Sequence, residues 1–487
     1  MALWRSTVIV SAMTMLSRVL GLVRDIVLLN VFGAGKDFDT FVVAFRIPNF
    51  FRRLFAEGAF SQAFIPVLTE YKTGRTHAEV QILISRVFGC LMTVMTALTF
   101  IAMVAAPAVL YIYAPGFHAD PEKFDLAVSM FRLTIPYLLF MSLTAFASSI
   151  LNSYGSFASP AFSPVLLNVA MIAGAWWLTP YMAEPIMALG WAVIAAGVLQ
   201  LAIQIPELWH KKLLIPPKVD FKHEGVDRIM KLMLPALFGV SVTQINLLLN
   251  TIWASFMQDG SVSWLYSAER MTELPLGLIG VAIGTVILPA LSTRHAEQDM
   301  SKFRGMMDWA AKVIVLVGVP ASIALFMLST PIIQALFQRG QFTLEDTQMT
   351  ALALQCMSAG VISFMLIKVF APGFYAQQDT KTPVRVGLMA VAANAILNVV
   401  FIGFFKLIDW QAEHMALALA SSGSALVNAG MLYFYLHKRD IFRFGAHWKK
   451  LFIQFGIANA MMIAALWYAL TWYNGDVSQW IRVAEVL

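Results

Sequence analysis

The chain has 487 residues, of which 59% are hydrophobic and only 13% charged, with a formal net charge of +6. A soluble protein of this size carries about 25% charged residues. Together with a mean hydropathy of +0.72, this excludes a soluble globular chain and points to an all-α polytopic membrane protein.

Runs of about twenty apolar residues predict spans near 6–32, 38–70, 80–113, 127–151, 163–181 and 186–206. The opening MALWRSTVIVSAMTML imitates a signal peptide, but Arg18 follows it and no small-residue cleavage site appears, so it reads as the first span. A basic stretch, WHKKLLIPPKVDFKHEGVDR, reads as a linker. Further spans are predicted near 229–257, 263–292, 305–329, 348–373, 384–405, 413–436 and 450–473. The final DVSQWIRVAEVL reads as the start of a fourteenth, too short to cross. This gives an N-terminal six-helix bundle over 1–210, a basic linker over 211–228, a second six-helix bundle over 229–438, and a C-terminal region over 439–487. Cys90 and Cys356 fall in apolar runs and read as buried free thiols.

Alternate loops differ in charge. One set holds Lys72, Arg75, Lys211, Lys212, Lys218, Lys222, Arg294, Lys381, Arg439 and Lys450; the other holds little beyond Lys36, Lys123, Arg339 and Lys406. By the positive-inside rule the first set, and the N-terminus, are cytoplasmic. The chain also repeats itself. Arg46 and Arg270, Pro66 and Pro289, and the Ser159-Pro160 and Thr382-Pro383 turns are offset by about 223 residues. LNV triplets at Asn168 and Asn398 follow at a slightly larger offset. Two six-span halves entering from the same side imply a parallel repeat, as in transporters built from two bundles.

Charge inside the spans points to the function. In DTFVVAFRIPNFFRRLFAEGAFSQAFIPVLTEY (39–71), Asp39, Arg46 and Arg53 repeat every seven residues and share a helical face, which Glu57 and Ser61 continue. Arg52 lies about 100° away. From Asp39 to Glu57 the rise is roughly 27 Å, close to the hydrocarbon thickness. Charges at that depth are costly and should face a wet cavity. Arg18 and Asp25 share a face of the first span, with Arg24 rotated from them; Ser263, Arg270, Gly277 and Gly284 recur at heptad spacing in the eighth, with Glu269 and Glu273 beside Arg270. The plain alternative is that each arginine is locked to an acid: Arg24 to Asp25, Arg53 to Glu57, Arg270 to Glu273. Against it, Arg18, Arg24, Arg46, Arg52, Arg53 and Arg270 outnumber Asp25, Glu57, Glu269 and Glu273. A cationic cavity between the two halves calls for an anionic ligand, and guanidinium forks suit diphosphate oxygens. Lys368 is expected to snorkel to the cytoplasmic rim. The eight histidines fall in loops or at span ends and are expected to be solvated. Zincin, Walker and paired-Asp motifs are absent from the sequence, so no enzyme, metal or cofactor chemistry is expected.

SRVLGLVRD (17–25), FRIPNFFRRLFAEGAFSQAFIPVLTEYK (45–72), GSVSWLYSAERMTELPLGLIGVAIGTVILPALS (260–292) and VKVFAPGFYAQQDTKTPV (368–384) closely resemble the lipid II flippases of the MviN/MurJ family, within the multidrug/oligosaccharidyl-lipid/polysaccharide exporter superfamily. The resemblance implies two pseudo-symmetric six-helix bundles around a central cavity, plus C-terminal helices that form a groove for a polyprenyl tail. It implies flipping of undecaprenyl-diphosphate-linked peptidoglycan precursor (lipid II) across the bacterial inner membrane, by a monomer among membrane lipids, with no nucleic-acid partner. It places the essential arginines on Arg18, Arg24, Arg52 and Arg270, with supporting positions at Asp25, Asp39, Arg46, Arg53, Glu57, Ser263, Glu269 and Glu273. The wheel argument favours Arg53 where the family favours Arg52; a bend at Pro48 reconciles them. Relatives generally have a complete fourteenth span, so the expectation here is either a truncated sequence or an incomplete tail groove. Some relatives bind sodium through acids in spans seven and eleven; here those spans offer Gln244, Asn246, Asn250, Asn394 and Asn398, and no sodium site is expected. A polysaccharide-repeat flippase or a multidrug or metabolite antiporter of the same superfamily is the alternative.

Overall fold

The computed structural model describes residues 2–56, 59–445 and 447–472. Glu57 and the expected start of a fourteenth span lie outside the described residues, as does the side chain of Arg53. Among the described residues every regular element is helical, and the chain divides into two compact units.

The first unit spans 1–244 together with 258–262. Its helices are α1 (Ala2–Phe32), α2 (Lys36–Ala56), α3 (Ala59–Gly74), α4 (His77–Val104), α5 (Ala106–Tyr113), α6 (Pro121–Thr134), α7 (Tyr137–Ser153), α8 (Ala158–Ala173), α9 (Met187–Ala202), α10 (Ile205–His210) and the beginning of α11 (Glu224–Ala254). Starts follow local chemistry. Thr76 accepts from the Glu79 amide while the Glu79 carboxylate accepts from that of Thr76, a capping box at α4. Asp120 caps α6 ahead of a proline. Phe38, Phe64, Phe131, Tyr137 and Leu151 are fully buried between these helices.

The linker is not a free loop. Its chain lies along α4: the Lys218 amide donates to the Ser85 carbonyl at 3.1 Å, Ser85 Oγ to the Pro216 carbonyl at 2.7 Å, and Gln81 Nε2 to the Lys212 carbonyl at 2.8 Å. Only glycine allows this approach at position 89, because a Cβ there would stand 2.4 Å from the Lys218 carbonyl carbon and oxygen. Gly89→Ala is therefore expected to lift the strap and cost about 1–3 kcal/mol. Thermal unfolding in detergent and protease cleavage within 211–223 would register it; an unchanged midpoint and unchanged cleavage would contradict it.

The second unit spans 245–257 and 263–487. It holds the end of α11, then α12 (Ser261–Pro275), a π-helical turn over Leu276–Gly280, α13 (Val281–Ala296), α14 (Met300–Met327), α15 (Ser329–Phe337), α16 (Leu344–Tyr375), α17 (Lys381–Leu407), α18 (His414–Lys438) and α19 (His447–Thr471). Phe303, Met307, Ile314, Met365, Phe370, Phe374, Leu432 and Leu436 form its core between α14, α16 and α18. At Gly360 the helices α16 and α18 pack so closely that a Cβ would meet Ser422 Oγ at 2.7 Å, the small-residue contact typical of helices in lipid. α19 is pinned at its start, where Trp448 Nε1 donates to Asp308 Oδ1 at 2.6 Å.

The tip between α16 and α17 is held by Asp379, which accepts from the Thr382 amide (3.0 Å), Thr382 Oγ1 (2.6 Å) and Arg439 Nη1 (2.7 Å). Burial pushes the Asp379 carboxyl up, but these donors outweigh it and hold it down at about 2. A carboxylate depressed on folding stabilises fully above its unfolded value and progressively less below it. Stability from this clasp is thus expected to fall as pH drops from about 4 towards 2, and Asp379→Asn to lose that acid-dependent component; identical pH profiles of unfolding would contradict this.

Nine helical segments among the described residues are long and apolar enough to cross a membrane, and they coincide with the spans predicted near 80–113, 127–151, 163–181, 186–206, 305–329, 348–373, 384–405, 413–436 and 450–473. The stretches predicted near 6–32, 38–70 and 263–292 are helical wherever described, and that near 229–257 is helical as far as Ala254. Ile112 (73% exposed), Trp177 (74%) and Leu407 (85%) are typical of a surface that suits acyl chains rather than water. Both cysteines are free and buried, as expected. His414 departs from expectation: it is 1% exposed, with its ring 5.0 Å from that of Trp264 and Nε2 2.9 Å from the Met349 carbonyl. An aromatic neighbour and one backbone bond make a dry site acceptable to a neutral imidazole.

Candidate functional site

In the first unit α1 carries Arg18, Arg24 and Asp25. Arg18 is exposed, whereas Arg24 (7% exposed) and Asp25 (2%) are buried. Arg24 Nε and Nη2 both donate to Asp25 Oδ1, at 3.0 and 2.6 Å, so the pair is real and adjacent in sequence. Arg24 Nη1 donates to Asn168 Oδ1 on α8 at 3.0 Å, and Asn168 Nδ2 returns a bond to the Ser17 carbonyl at 3.0 Å. The guanidinium is thereby fixed in orientation by an acid on one edge and an amide on another. Nothing in local sequence marks Asn168 as a partner; its one signal is the repeated LNV triplet.

On α2, Asp39 and Arg46 are both buried, and Arg52 is partly buried with Nε donating to Asn49 Oδ1 at 2.9 Å. Asp39 Oδ2 accepts the Gly260 amide at 2.8 Å and lies 3.5 Å from Lys123 Nζ. Lys123, expected in a solvated loop, is instead 4% exposed. Ser61 on α3 pairs with Ser149 of α7 at 3.1 Å.

In the second unit Arg270 on α12 is half-buried. It donates to Glu273 Oε2 at 2.9 Å and to the Tyr266 hydroxyl at 3.3 Å, with its guanidinium 4.9 Å from the Tyr266 ring. One face is braced by an aromatic ring one turn away, while the acid and the tyrosine hydroxyl each take a guanidinium donor and fix the fork's orientation. Ser263 is buried and Glu269 partly so. Lys368 is exposed on α16, with Gly280 and Gly284 packing beside it.

The second LNV asparagine mirrors the first. Asn398 on α17 donates to Asn250 on α11 at 3.2 Å and to Asn394 at 3.1 Å, while Asn250 donates to Ser421 at 2.8 Å. Where the first unit has a guanidinium and a carboxylate, the second has neutral amides. No cluster of three or more His, Cys, Asp or Glu suited to a metal occurs among the described residues.

Nine membrane-length helices among the described residues define a multi-pass membrane protein. Its fold is shared with an inward-facing multidrug-resistance MATE-family transporter of the MOP superfamily, at a TM-score of 0.70 and 12% identity over 89% of this chain and 97% of that one. The family model described as lipid II flippase MurJ matches residues 28–484. The chain is 44% identical to a probable lipid II flippase MurJ of Vibrio cholerae, over 98% of this chain and 92% of that protein. It is 40% identical to the lipid II flippase MurJ of Burkholderia cenocepacia, over 96% and 91%. A solved lipid II flippase MurJ in an inward closed conformation aligns at a TM-score of 0.77 and 26% identity, covering 95% of this chain and 99% of that one. The chain belongs to the lipid II flippase MurJ family.

Proposed function

We propose that this chain flips lipid II, the undecaprenyl-diphosphate-linked disaccharide-peptide, from the cytoplasmic to the outer leaflet of the bacterial inner membrane by alternating access. Family membership along nearly the whole chain carries this reading. The chain acts as a monomer, with its N-terminus cytoplasmic, and moves its substrate without covalent change. The 1–210 and 229–438 stretches work as the two bundles, joined by 211–228, with 439–487 serving the lipid tail. Arg18, Arg24, Arg52 and Arg270 grip the diphosphate; Asp25, Asp39, Arg46, Arg53, Glu57, Ser263, Glu269 and Glu273 support them. The fixed orientation of Arg24 and the aromatic brace on Arg270 favour that role, because preset forks lose little freedom on meeting phosphate oxygens.

The test is reconstitution into vesicles with head-group-labelled lipid II, scored by exposure of the label on the opposite leaflet. Transfer of lipid II well above that of a polysaccharide repeat on the same carrier, and no export of a cationic drug, is the expected result. Drug export without lipid II transfer would replace this reading with an antiporter.

A further inference from the structure

We propose that Lys123 is a positioning residue that holds the connection between α11 and α12 in place by bridging buried Asp39 and half-exposed Asp259, and that lipid II transport depends on this bridge. The inference rests on the transport reading for its role in the cycle, but not for its geometry.

Residues 258–262 group with the first unit, whereas the chain on either side of them, 245–257 and from 263 onward, groups with the second. Something must hold these five residues, and the contacts are specific. Lys123 Nζ lies 2.6 Å from Asp259 Oδ1 and 3.5 Å from Asp39 Oδ2, and 4.1 Å from the Phe117 ring centroid. Asp39 Oδ2 takes the Gly260 amide at 2.8 Å. The lysine and Asp39 are 4% and 1% exposed, so both charges have left water. Ser261 and Val262, next along the connection, are each 1% exposed.

A buried charge is tolerated only while paired, and removing one partner costs far more than the pair contributes. Here one cation stands between two carboxylates. Neutralising it removes the ammonium that links buried Asp39 to Asp259, and Asp259, 55% exposed, sits on the segment being held. Asp39 also holds that segment directly through the Gly260 amide, so the lysine and this carboxylate act on the same five residues. Lys36 does not substitute: its ammonium is engaged by Asp120 at 2.7 Å and Glu122 at 3.3 Å, on the outer side of the α6 cap.

The test uses the full chain in detergent with S261C as a reporter, and measures its rate of reaction with a small maleimide. Cys90 and Cys356, 5% and 7% exposed, report global unfolding if they label. With Lys123 present, labelling is expected to be slow. Lys123→Met is expected to speed it about tenfold with Cys90 and Cys356 still protected, and Lys123→Arg to return it to within about twofold of the parent. Should Lys123→Met not fold, Asp259→Asn, at a side chain 55% exposed, is expected to raise the rate severalfold. Parental labelling rates in the folded Lys123→Met chain or, if that chain does not fold, in Asp259→Asn would overturn the proposal. So would Lys123→Arg labelling as fast as Lys123→Met, since charge at that position would then be irrelevant. In vesicles, Lys123→Met is expected to alter the lipid II flipping rate and Lys123→Arg to keep it. Loss of reporter protection with no lipid II transfer in any variant would leave the bridge standing and remove the transport reading instead.

Discussion

Arg270→Ala is expected to abolish lipid II flipping while leaving the folded protein at normal abundance in the membrane. Its guanidinium is only half-buried, its side chain being 27% exposed, and its acid partner Glu273 is 48% exposed, so the pair contributes little to folding. Charge-assisted bonds to phosphate oxygens are worth about 1.5–3 kcal/mol each, so losing one fork lowers affinity for a diphosphate about 10- to 100-fold. Arg270→Lys keeps the charge but not the planar pair of donors or the stacking on Tyr266, and an intermediate rate is expected. Flipping by Arg270→Ala at more than half the parental rate would contradict the role given to this residue.

Asp25→Ala is expected to fail by a different route. It leaves the Arg24 guanidinium, 7% exposed, without the carboxylate that two of its nitrogens share. Breaking a buried pair on one side costs about 3–5 kcal/mol, a large fraction of the stability of most proteins. Removing both charges in Arg24→Met/Asp25→Ala is expected to restore most of the lost stability and none of the flipping. That divergence separates the fold's demand from the substrate's. A double variant that flips lipid II would show that Arg24 serves only to neutralise Asp25, and a double variant as unstable as Asp25→Ala would show that the uncompensated Arg24 charge is not the cause of the loss.

Length and polarity made the spans legible. A twenty-residue apolar run has few alternatives to a membrane helix, because every backbone group must be satisfied within the segment. The arginines stood out for the same reason, as charges where lipid allows almost none. Their partners did not. Asn168 lies 144 residues from Arg24 and Lys123 lies 84 from Asp39, and neither distance leaves a local pattern. Lys123 sits in the first turn after a loop rich in charge, where composition argues for water; the close approach of α2, the Phe117 ring and the α11–α12 connection buries it. His414 was misread for a related cause, since a helix start is usually wet and here it meets Trp264. The adjacent Arg24 and Asp25 were legible as a pair, but their coupling to α8 was not. The 223-residue repeat supplied the one clue: equivalent asparagines in the two LNV triplets each bond to the first long helix of their half, at Arg24 and at Asn250.

Binding separates the diphosphate grip from every later step of the cycle. Native mass spectrometry of the detergent-purified chain titrated with lipid II measures it directly, comparing the parent with Arg270→Ala and with the combined Arg18→Ala/Arg52→Ala/Arg270→Ala variant. The account predicts a bound lipid II adduct on the parent, weakened about 10- to 100-fold by Arg270→Ala and absent from the combined variant at the same lipid concentration. Equal adduct on all three folded proteins would contradict it.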